Sequence, residues 1–434
     1  MKINLKGNFI TDDSREIEQD CYFLGSKFNS NFINLATQKG AKVLNLDQAK
    51  DMLGINKDIK IVGITGTNGK TTTAAAIYST LIDLGYSVFL CGTRGAFVND
   101  KQVAPKGLTT STPIEILKLL KIASDERSDF FIMEISSHAI AQERVEGLNF
   151  ALKIFTNISQ DHLDYHKTMS EYLRVKSSFF MDESKKLINK DDKNGLLFDP
   201  KNAYTYGIEE IATFKVVAYS INDSIMASLK TPSGDAQIES DMVGEFNLYN
   251  LLAAFSAVQI LTKSVYSNSQ ITQALLNFAG VAGRMEVVSN NPLVIVDFAH
   301  TPDGIEKILN ALKANKLIVV FGAGGDRDRT KRAKMASIVE HFASIAIVTS
   351  DNPRSEDPQS IIDEILTGFI DKSRVLVEIE RKKAISKALN LVTNGEVVVI
   401  LGKGDEEYQE INGVRYPFSD KKVVEEILDA NRDT

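Results

Sequence analysis

The segment Lys60-Ile-Val-Gly-Ile-Thr-Gly-Thr-Asn-Gly-Lys-Thr-Thr72 leaves this chain little freedom in how it folds. Its first six residues are mostly apolar and β-branched, as a buried strand requires. Gly66 and Gly69 then permit a tight turn, after which Ala74, Ile77, Leu81 and Leu84 recur at helical spacing. Gly85 stands where a helix ends on a left-handed glycine. A strand that turns through glycines into a helix points successive backbone N–H groups at one spot. The helix N-terminus adds positive potential there, so the turn forms an anion cradle. Within it, Lys70 reaches the outer phosphates of a bound nucleotide and the Thr71 hydroxyl meets Mg²⁺. The strict phosphate-loop spacing needs glycine at Ile64, and here the glycine comes at Gly66 instead. A bare glycine turn is the bland alternative, and the sequence strand, loop, Lys-Thr, helix weighs against it.

At 434 residues the chain exceeds one ordinary core. Further buried-strand patterns at Ser87–Leu90, Phe130–Ile135 and Leu152–Asn157 alternate with helical ones, which predicts a mostly parallel sheet covered on both faces. Short alternating runs within 208–243 predict added antiparallel strands, and a helix follows over roughly Asn247–Leu261. Beyond Gly280 and Gly283, which mark a hinge, apolar runs at Leu293–Asp297, Leu317–Phe321, Ile345–Thr349, Val375–Ile379 and Val397–Leu401 predict a doubly wound, Rossmann-like sheet. The expected architecture is α/β in three domains. A small N-terminal α/β domain spans 1–58, a central P-loop ATPase-like parallel sheet with added antiparallel strands spans 59–283, and the Rossmann-like sheet spans 284–434.

A net charge of -7 gives no reason to expect nucleic acid or an anionic membrane as partner. Two cysteines, Cys21 and Cys91, support neither a disulfide framework nor a cysteine-based zinc site. The first twenty residues lack the apolar core of a secretory signal, and no run approaches the roughly 20 apolar residues of a membrane span. The expectation is a cytoplasmic protein.

The loop Gly66-Thr-Asn-Gly-Lys-Thr71 resembles the nucleotide loop of the Mur ligases and of folylpolyglutamate synthases, and the likeness to the Mur ligase family continues through several separate motifs. Glu134, in Phe-Ile-Met-Glu-Ile-Ser-Ser-His, is similar to the glutamate by which the family binds magnesium. Asn157-Ile-Ser-Gln-Asp-His-Leu-Asp resembles the family's N-x-x-x-D-H-x-D, which makes His162 a ligand of a second magnesium or a phosphate contact. His166 and His341 are assigned structural and surface roles. Tyr172-Leu-Arg-Val-Lys176 alone reads as an amphipathic helix with a solvated lysine. The family resemblance instead implies a carbamylated Lys176, an anion able to hold Mg²⁺. Carbamylation needs an uncharged amine, which burial favours.

For ATP the resemblance implies Gly66, Thr67, Asn68, Gly69, Lys70, Thr71 and Thr72, with Asn247 and Asn250 near the adenine. Arg284 matches a phosphate contact with a catalytic part, and Asp297 and His300 match further nucleotide contacts. For a UDP-linked substrate it implies Ser14 of Asp-Ser-Arg, Thr109 and Thr110 of Thr-Thr-Ser-Thr-Pro, and Ser136, Gln142 and Arg144. For an amino acid it implies Arg327, Asp351, Asn352, Arg354, Gly402 and Glu406. The run Asp351-Asn-Pro-Arg354 is similar to the motif of the diaminopimelate-adding branch. An arginine offers a bidentate donor pair to the extra carboxylate of meso-diaminopimelate and repels the ammonium of lysine. Asp405 departs from the pattern, because the family has histidine there.

The resemblance thus implies an ATP- and Mg²⁺-dependent amide ligase. It would add meso-diaminopimelate to UDP-MurNAc-L-Ala-D-Glu through an acyl phosphate, and would act as a monomer on small-molecule substrates. The competing readings are a lysine-adding ligase, a folylpolyglutamate synthase-like ligase, and an ATP-binding switch without turnover. Arg354 opposes the first, the Asp-Ser-Arg and Asp-Asn-Pro-Arg segments the second, and the intact set Lys70, Glu134, His162 and Lys176 the third.

Overall fold

The strand and helix anticipated around the glycine turn form at Lys60–Thr65 and Lys70–Asp83, and Gly85 closes the helix at a φ of 90°. The structure, a computed structural model, describes residues 1–99, 101–193, 201–221, 224–263, 265–393 and 395–432. They fold as two compact units. One comprises Met1–Ile158, Ser170–Asp241 and Asn247–Ala279, and the other Ser159–Met169, Met242–Phe246 and Gly280–Thr434.

In the first unit an 11-stranded sheet is built around Lys60–Thr65, which pairs in parallel with Phe150–Phe155 on one side and Phe130–Glu134 on the other. Val88–Gly92 lies beyond Phe130–Glu134, again in parallel. The chain leaves Lys60–Thr65 toward one side of the sheet and later returns on the other. Its carboxyl end therefore opens at a switch point, where doubly wound sheets bind ligands. Lys186–Asn189 and Ala203–Gly207, which the apolar pattern did not announce, continue the parallel part. Phe214–Ser220, Ile225–Thr231 and Gly234–Ser240 complete that edge, with their mutual pairings antiparallel as expected within 208–243, where 222 and 223 lie outside the described residues. The expected helix runs Glu245–Leu261.

The first strands, Lys2–Leu5, Asn8–Thr11, Tyr22–Leu24 and Lys42–Leu44, form a separate 4-stranded sheet. Its Ile3, Ile10, Leu24 and Leu44 join one apolar cluster with Ile114, Leu117 and Phe131. The small sheet is thereby fixed to the large one by shared burial rather than by strand pairing.

The second unit carries a 6-stranded sheet in the order Glu286–Asn290, Leu293–Asp297, Glu396–Leu401, Lys316–Phe321, Ala343–Val348, Val375–Val377. All neighbours are parallel except the first pair. Leu317, Val319 and Phe321 enter one core, while Ile318 and Val320 enter another. Alternate residues of one strand thus feed two buried faces, the signature of a doubly wound sheet. No helix among the described residues is long and apolar enough to cross a membrane.

Candidate active site

The glycine turn is stitched to the neighbouring strand end. Thr67 N donates to Asn157 O at 2.8 Å and Asn68 N to Asn157 Oδ1 at 3.0 Å. Asn157 Nδ2 and Thr156 Oγ1 both return bonds to Asn68 O, at 3.0 and 2.6 Å. Space here admits only glycine. A Cβ at Gly66 would lie 1.8 Å from Thr156 Oγ1, and one at Gly69, where φ is 84°, would lie 2.4 Å from Asn250 Oδ1. Asn250 also accepts from Thr73 and donates to Asn247 Oδ1 at 3.2 Å, so both asparagines expected near the adenine stand against the loop. Lys70 lies over the turn, its Nζ 2.9 Å from the carbonyl oxygens of Gly66 and Thr67. Thr72 is buried in the first turn of the helix.

Glu134 ends its strand beside this loop. Its Oε2 accepts from Thr71 Oγ1 at 2.9 Å and from Thr93 Oγ1 at 3.2 Å, and its Oε1 accepts from Thr93 N at 3.0 Å. A hydroxyl and a carboxylate oxygen thus face each other at the loop, the hard donors that Mg²⁺ prefers, and the donor set fits that ion. No three His, Cys, Asp or Glu side chains form a metal cage among the described residues. Lys176, on the helix Met169–Ser178, is 1% exposed rather than solvated. Its Nζ reaches Gly66 O at 3.0 Å and Thr65 Oγ1 at 3.3 Å, at the start of the phosphate turn.

The residues expected for the UDP-linked substrate gather on the same side. Thr110 Oγ1 donates to Glu134 O at 2.9 Å and accepts from Ser136 N at 2.8 Å. Arg144 Nη1 donates to Thr110 O at 2.7 Å while its Nε and Nη2 hold Gln142 Oε1. Thr109 Oγ1 lies 3.2 Å from Thr93 Oγ1, which links this loop to Glu134. Ser14 sits apart, in the short helix Ser14–Glu16 beyond the small sheet, where Arg15 holds the Asp13 carboxyl well below the usual range.

In the second unit, His162 adopts a left-handed φ of 55°. The buried Asp161 has Oδ2 3.4 Å from His162 Nε2 and 3.8 Å from His300 Nε2, and Oδ1 3.5 Å from Lys331 Nζ. Burial alone would raise Asp161, but Lys331 and then the two histidines outweigh it and hold the carboxyl well below the usual range. Asp297 moves the other way, because burial raises it against the nearby Arg284. Its oxygens accept from Met285 N at 2.7 Å and Ala299 N at 2.6 Å, and Arg284 lies over the Phe298 ring at 4.2 Å. Arg284 therefore lies against the strand end and turn that carry Asp297 and His300.

The residues expected to bind the amino acid converge from three loops of this sheet. Asn352 Nδ2 donates to Glu406 Oε2 at 2.9 Å. A Cβ at Gly402 would lie 2.6 Å from Asp351 Oδ2. Arg354 Nη1 donates to Gly325 O at 2.7 Å, and a Cβ at Gly324 would meet Arg354 Nη1 at 2.9 Å and Arg327 Cγ at 3.7 Å. All six residues expected to bind the amino acid thus fall together, with Arg327 exposed and Asp351 and Asn352 buried. Asp405, where the family has histidine, packs its backbone against Gly283, since a Cβ there would lie 2.1 Å from Asp405 N. Sequence reasoning passed over Thr93, Lys331 and Lys403. Lys403 carried a signal, lying inside Gly-Lys-Gly-Asp-Glu, whereas Thr93 stands alone after a strand.

The fold defines a class, a phosphate-loop sheet followed in the chain by a doubly wound sheet. Residues 64–258 match the Mur ligase middle domain and residues 283–404 the Mur ligase, glutamate ligase domain. The chain is 49% identical over 411 residues to UDP-N-acetylmuramoyl-L-alanyl-D-glutamate--2,6-diaminopimelate ligase of Helicobacter hepaticus, covering 93% of this chain and 88% of that protein. A solved structure with the same enzyme name superposes with a TM-score of 0.68 at 30% identity, covering 98% of this chain and 95% of the other. Folylpolyglutamate synthase of Mycobacterium tuberculosis shares the fold, with a TM-score of 0.71 at 17% identity over 82% of this chain and 91% of its own. The chain belongs to the Mur ligase family.

Proposed function

We propose that this protein uses ATP to join meso-diaminopimelate to the D-glutamyl carboxylate of UDP-MurNAc-L-Ala-D-Glu, releasing ADP and phosphate. One observation carries this reading. The Arg354 guanidinium lies across Gly324 and Gly325, with the stem of Arg327 beside Gly324 and the buried Asp351 and Asn352, with Glu406, on the neighbouring loops. An arginine fork with acidic neighbours matches an amino acid bearing an additional carboxylate and ammonium.

A carboxylate does not take an amine directly, because oxide is a poor leaving group. An oxygen of the D-glutamyl carboxylate attacks the γ-phosphorus of ATP, the bond to the β-phosphate oxygen breaks, and ADP departs. The amine of diaminopimelate then bonds to the acyl carbon, loses a proton to solvent or a base, and phosphate leaves with the former acyl oxygen. The glycine turn and Lys70 bind the phosphates through N–H donors and one ammonium. Thr71, Glu134 and a carbamylated Lys176 would hold Mg²⁺, which when bound neutralises phosphate charge, and His162 would be a ligand of a second Mg²⁺ or a phosphate contact. Arg284 adds a cation for the charge that develops on the transferred group. Thr109, Thr110, Ser136, Gln142, Arg144 and Ser14 orient the UDP-linked acceptor. The working divisions are 1–58 for the uridine end, 59–283 for ATP and 284–434 for the amino acid, in a cytoplasmic monomer.

The test is phosphate release with ATP, Mg²⁺ and UDP-MurNAc-L-Ala-D-Glu, with meso-diaminopimelate or L-lysine added in parallel. Release with diaminopimelate alone is expected. Release with lysine alone would overturn the reading of Arg354, and silence with both would overturn the ligase assignment.

A further inference from the structure

Beneath the amino-acid loops lies a fully buried ammonium to which none of the assignments above gives a role. Lys403 is 0% exposed, and its Nζ donates to Asn352 Oδ1 at 3.0 Å and to Glu406 Oε2 at 2.9 Å. Asp351 Oδ1 stands 3.6 Å away, and the Tyr408 ring lies 5.6 Å from Nζ. An ammonium can only donate. It therefore fixes which end of the Asn352 amide points inward, an orientation reinforced by Glu410 N, which donates to the same oxygen at 2.9 Å. The amide nitrogen of Asn352 is then left to meet Glu406 Oε2, as it does at 2.9 Å. Two donors thus occupy Oε2, while Oε1 has no hydrogen-bond partner among the described residues.

We infer that Lys403 is a positioning residue for amino-acid recognition. It pins Glu406 by one oxygen so that the other is the acceptor for the substrate's ammonium. Through the Asn352 amide, whose nitrogen it leaves facing Oε2, it adds a second hold on the same carboxylate. Buried ammonium groups are costly unless paired, and this one is paired only with residues of the pocket. The inference rests on the proposed reading of these loops as the diaminopimelate site.

Lys403→Met keeps the length and removes the charge. The expected result is a KM for meso-diaminopimelate raised roughly tenfold or more, with the KM values for ATP and UDP-MurNAc-L-Ala-D-Glu moved less than about twofold. Adding Glu406→Gln to this variant should raise the KM less than about twofold further, because both changes act through one carboxylate. An unshifted KM for diaminopimelate overturns the inference, as does an equal rise in all three, which would mark a general structural loss. Should Lys403→Met not fold, Lys403→Gln in the Glu406→Gln background is compared with Glu406→Gln alone. A KM within about twofold supports the inference and a further rise of about tenfold overturns it. Wild-type protein inert with meso-diaminopimelate sinks the functional reading, and this inference with it, before any variant is made. An active wild type beside an unshifted Lys403→Met sinks the inference alone.

Discussion

Arg354 donates from Nη1 to the backbone oxygen of Gly325 at 2.7 Å while its own backbone sits at a φ of 53°. Left-handed backbone at a long side chain is uncommon and is kept where the surroundings enforce it. Here Arg354 N donates to Glu410 O at 3.0 Å and Asn412 N to Arg354 O at 2.7 Å, which holds the residue from both sides. The guanidinium is thereby laid across the glycine pair, with Nε 3.8 Å from Glu410 Oε2 and Nη2 left to meet a carboxylate.

Arg354→Ala should accordingly weaken meso-diaminopimelate binding. Loss of a charge-assisted pair costs about 2–5 kcal/mol, or on the order of a hundredfold in KM. Arg354→Lys should recover little, because an ammonium lacks the planar fork. Initial-rate kinetics with each substrate varied in turn would check this, and an unchanged KM for the amino acid would remove Arg354 from the pocket.

Gly69→Ala should weaken nucleotide binding while leaving the fold intact. The added Cβ would stand 2.4 Å from Asn250 Oδ1, at a φ of 84° that L side chains rarely adopt. Relief requires moving either the turn or Asn250, and both belong to the ATP contacts proposed above. The expected loss is on the order of a hundredfold in ATP affinity, measured by calorimetric titration. Wild-type affinity in the variant would mean the turn tolerates a shift that its packing argues against.

Much of this arrangement was legible in the chain because it is local. Strand, glycine turn and helix occupy consecutive residues, and Lys60–Thr65 and Leu293–Asp297 form where their β-branched runs lie. Strand ends were less legible. Leu152–Asn157 was expected as a strand, but pairing stops at Phe155 because Thr156 and Asn157 turn their polar groups to the phosphate turn. From its own helix alone Lys176 reads as a solvated lysine, yet it is 1% exposed, since burial depends on what a helix packs against. Thr93 was invisible for the same reason. Nothing in its neighbours announces that both its N–H and its hydroxyl bind Glu134, 41 residues away.

Acid should expose the electrostatics of the amino-acid loops. Burial alone would raise the Asp351 carboxyl, but Lys403 and then Arg381 hold it below its ordinary 3.8. A carboxyl depressed in the folded state contributes stability above its unfolded value and loses it as pH falls through the folded one. The destabilisation caused by Asp351→Asn should therefore stay constant from about pH 7 to pH 5 and shrink only below the ordinary value of about 3.8. Urea midpoints of wild type and variant across that range would test it. A difference that already shrinks between neutral pH and pH 5 would show that another group titrates.

The pair Arg381–Asp420 lies deeper still, with both side chains 0% exposed. Nε donates to Oδ1 at 2.7 Å and Nη2 to Oδ2 at 2.8 Å, and Nη2 also caps the strand end at Leu401 O at 2.9 Å. Through Leu401 the arginine braces the strand that leads into Gly402 and Lys403. Removing one partner of a buried ion pair leaves an uncompensated charge, so Asp420→Asn should cost about 3–5 kcal/mol. Replacing both with apolar side chains removes that charge along with the attraction, and Arg381→Met with Asp420→Leu should be less destabilised than Asp420→Asn alone. The bond to Leu401 is lost only in the double variant, so the KM for diaminopimelate should rise there despite the better stability. Denaturant unfolding and kinetics on the same samples separate the two effects. If the double variant were both less stable than Asp420→Asn and unchanged in KM, the pair would be a stabilising element with no hold on the site.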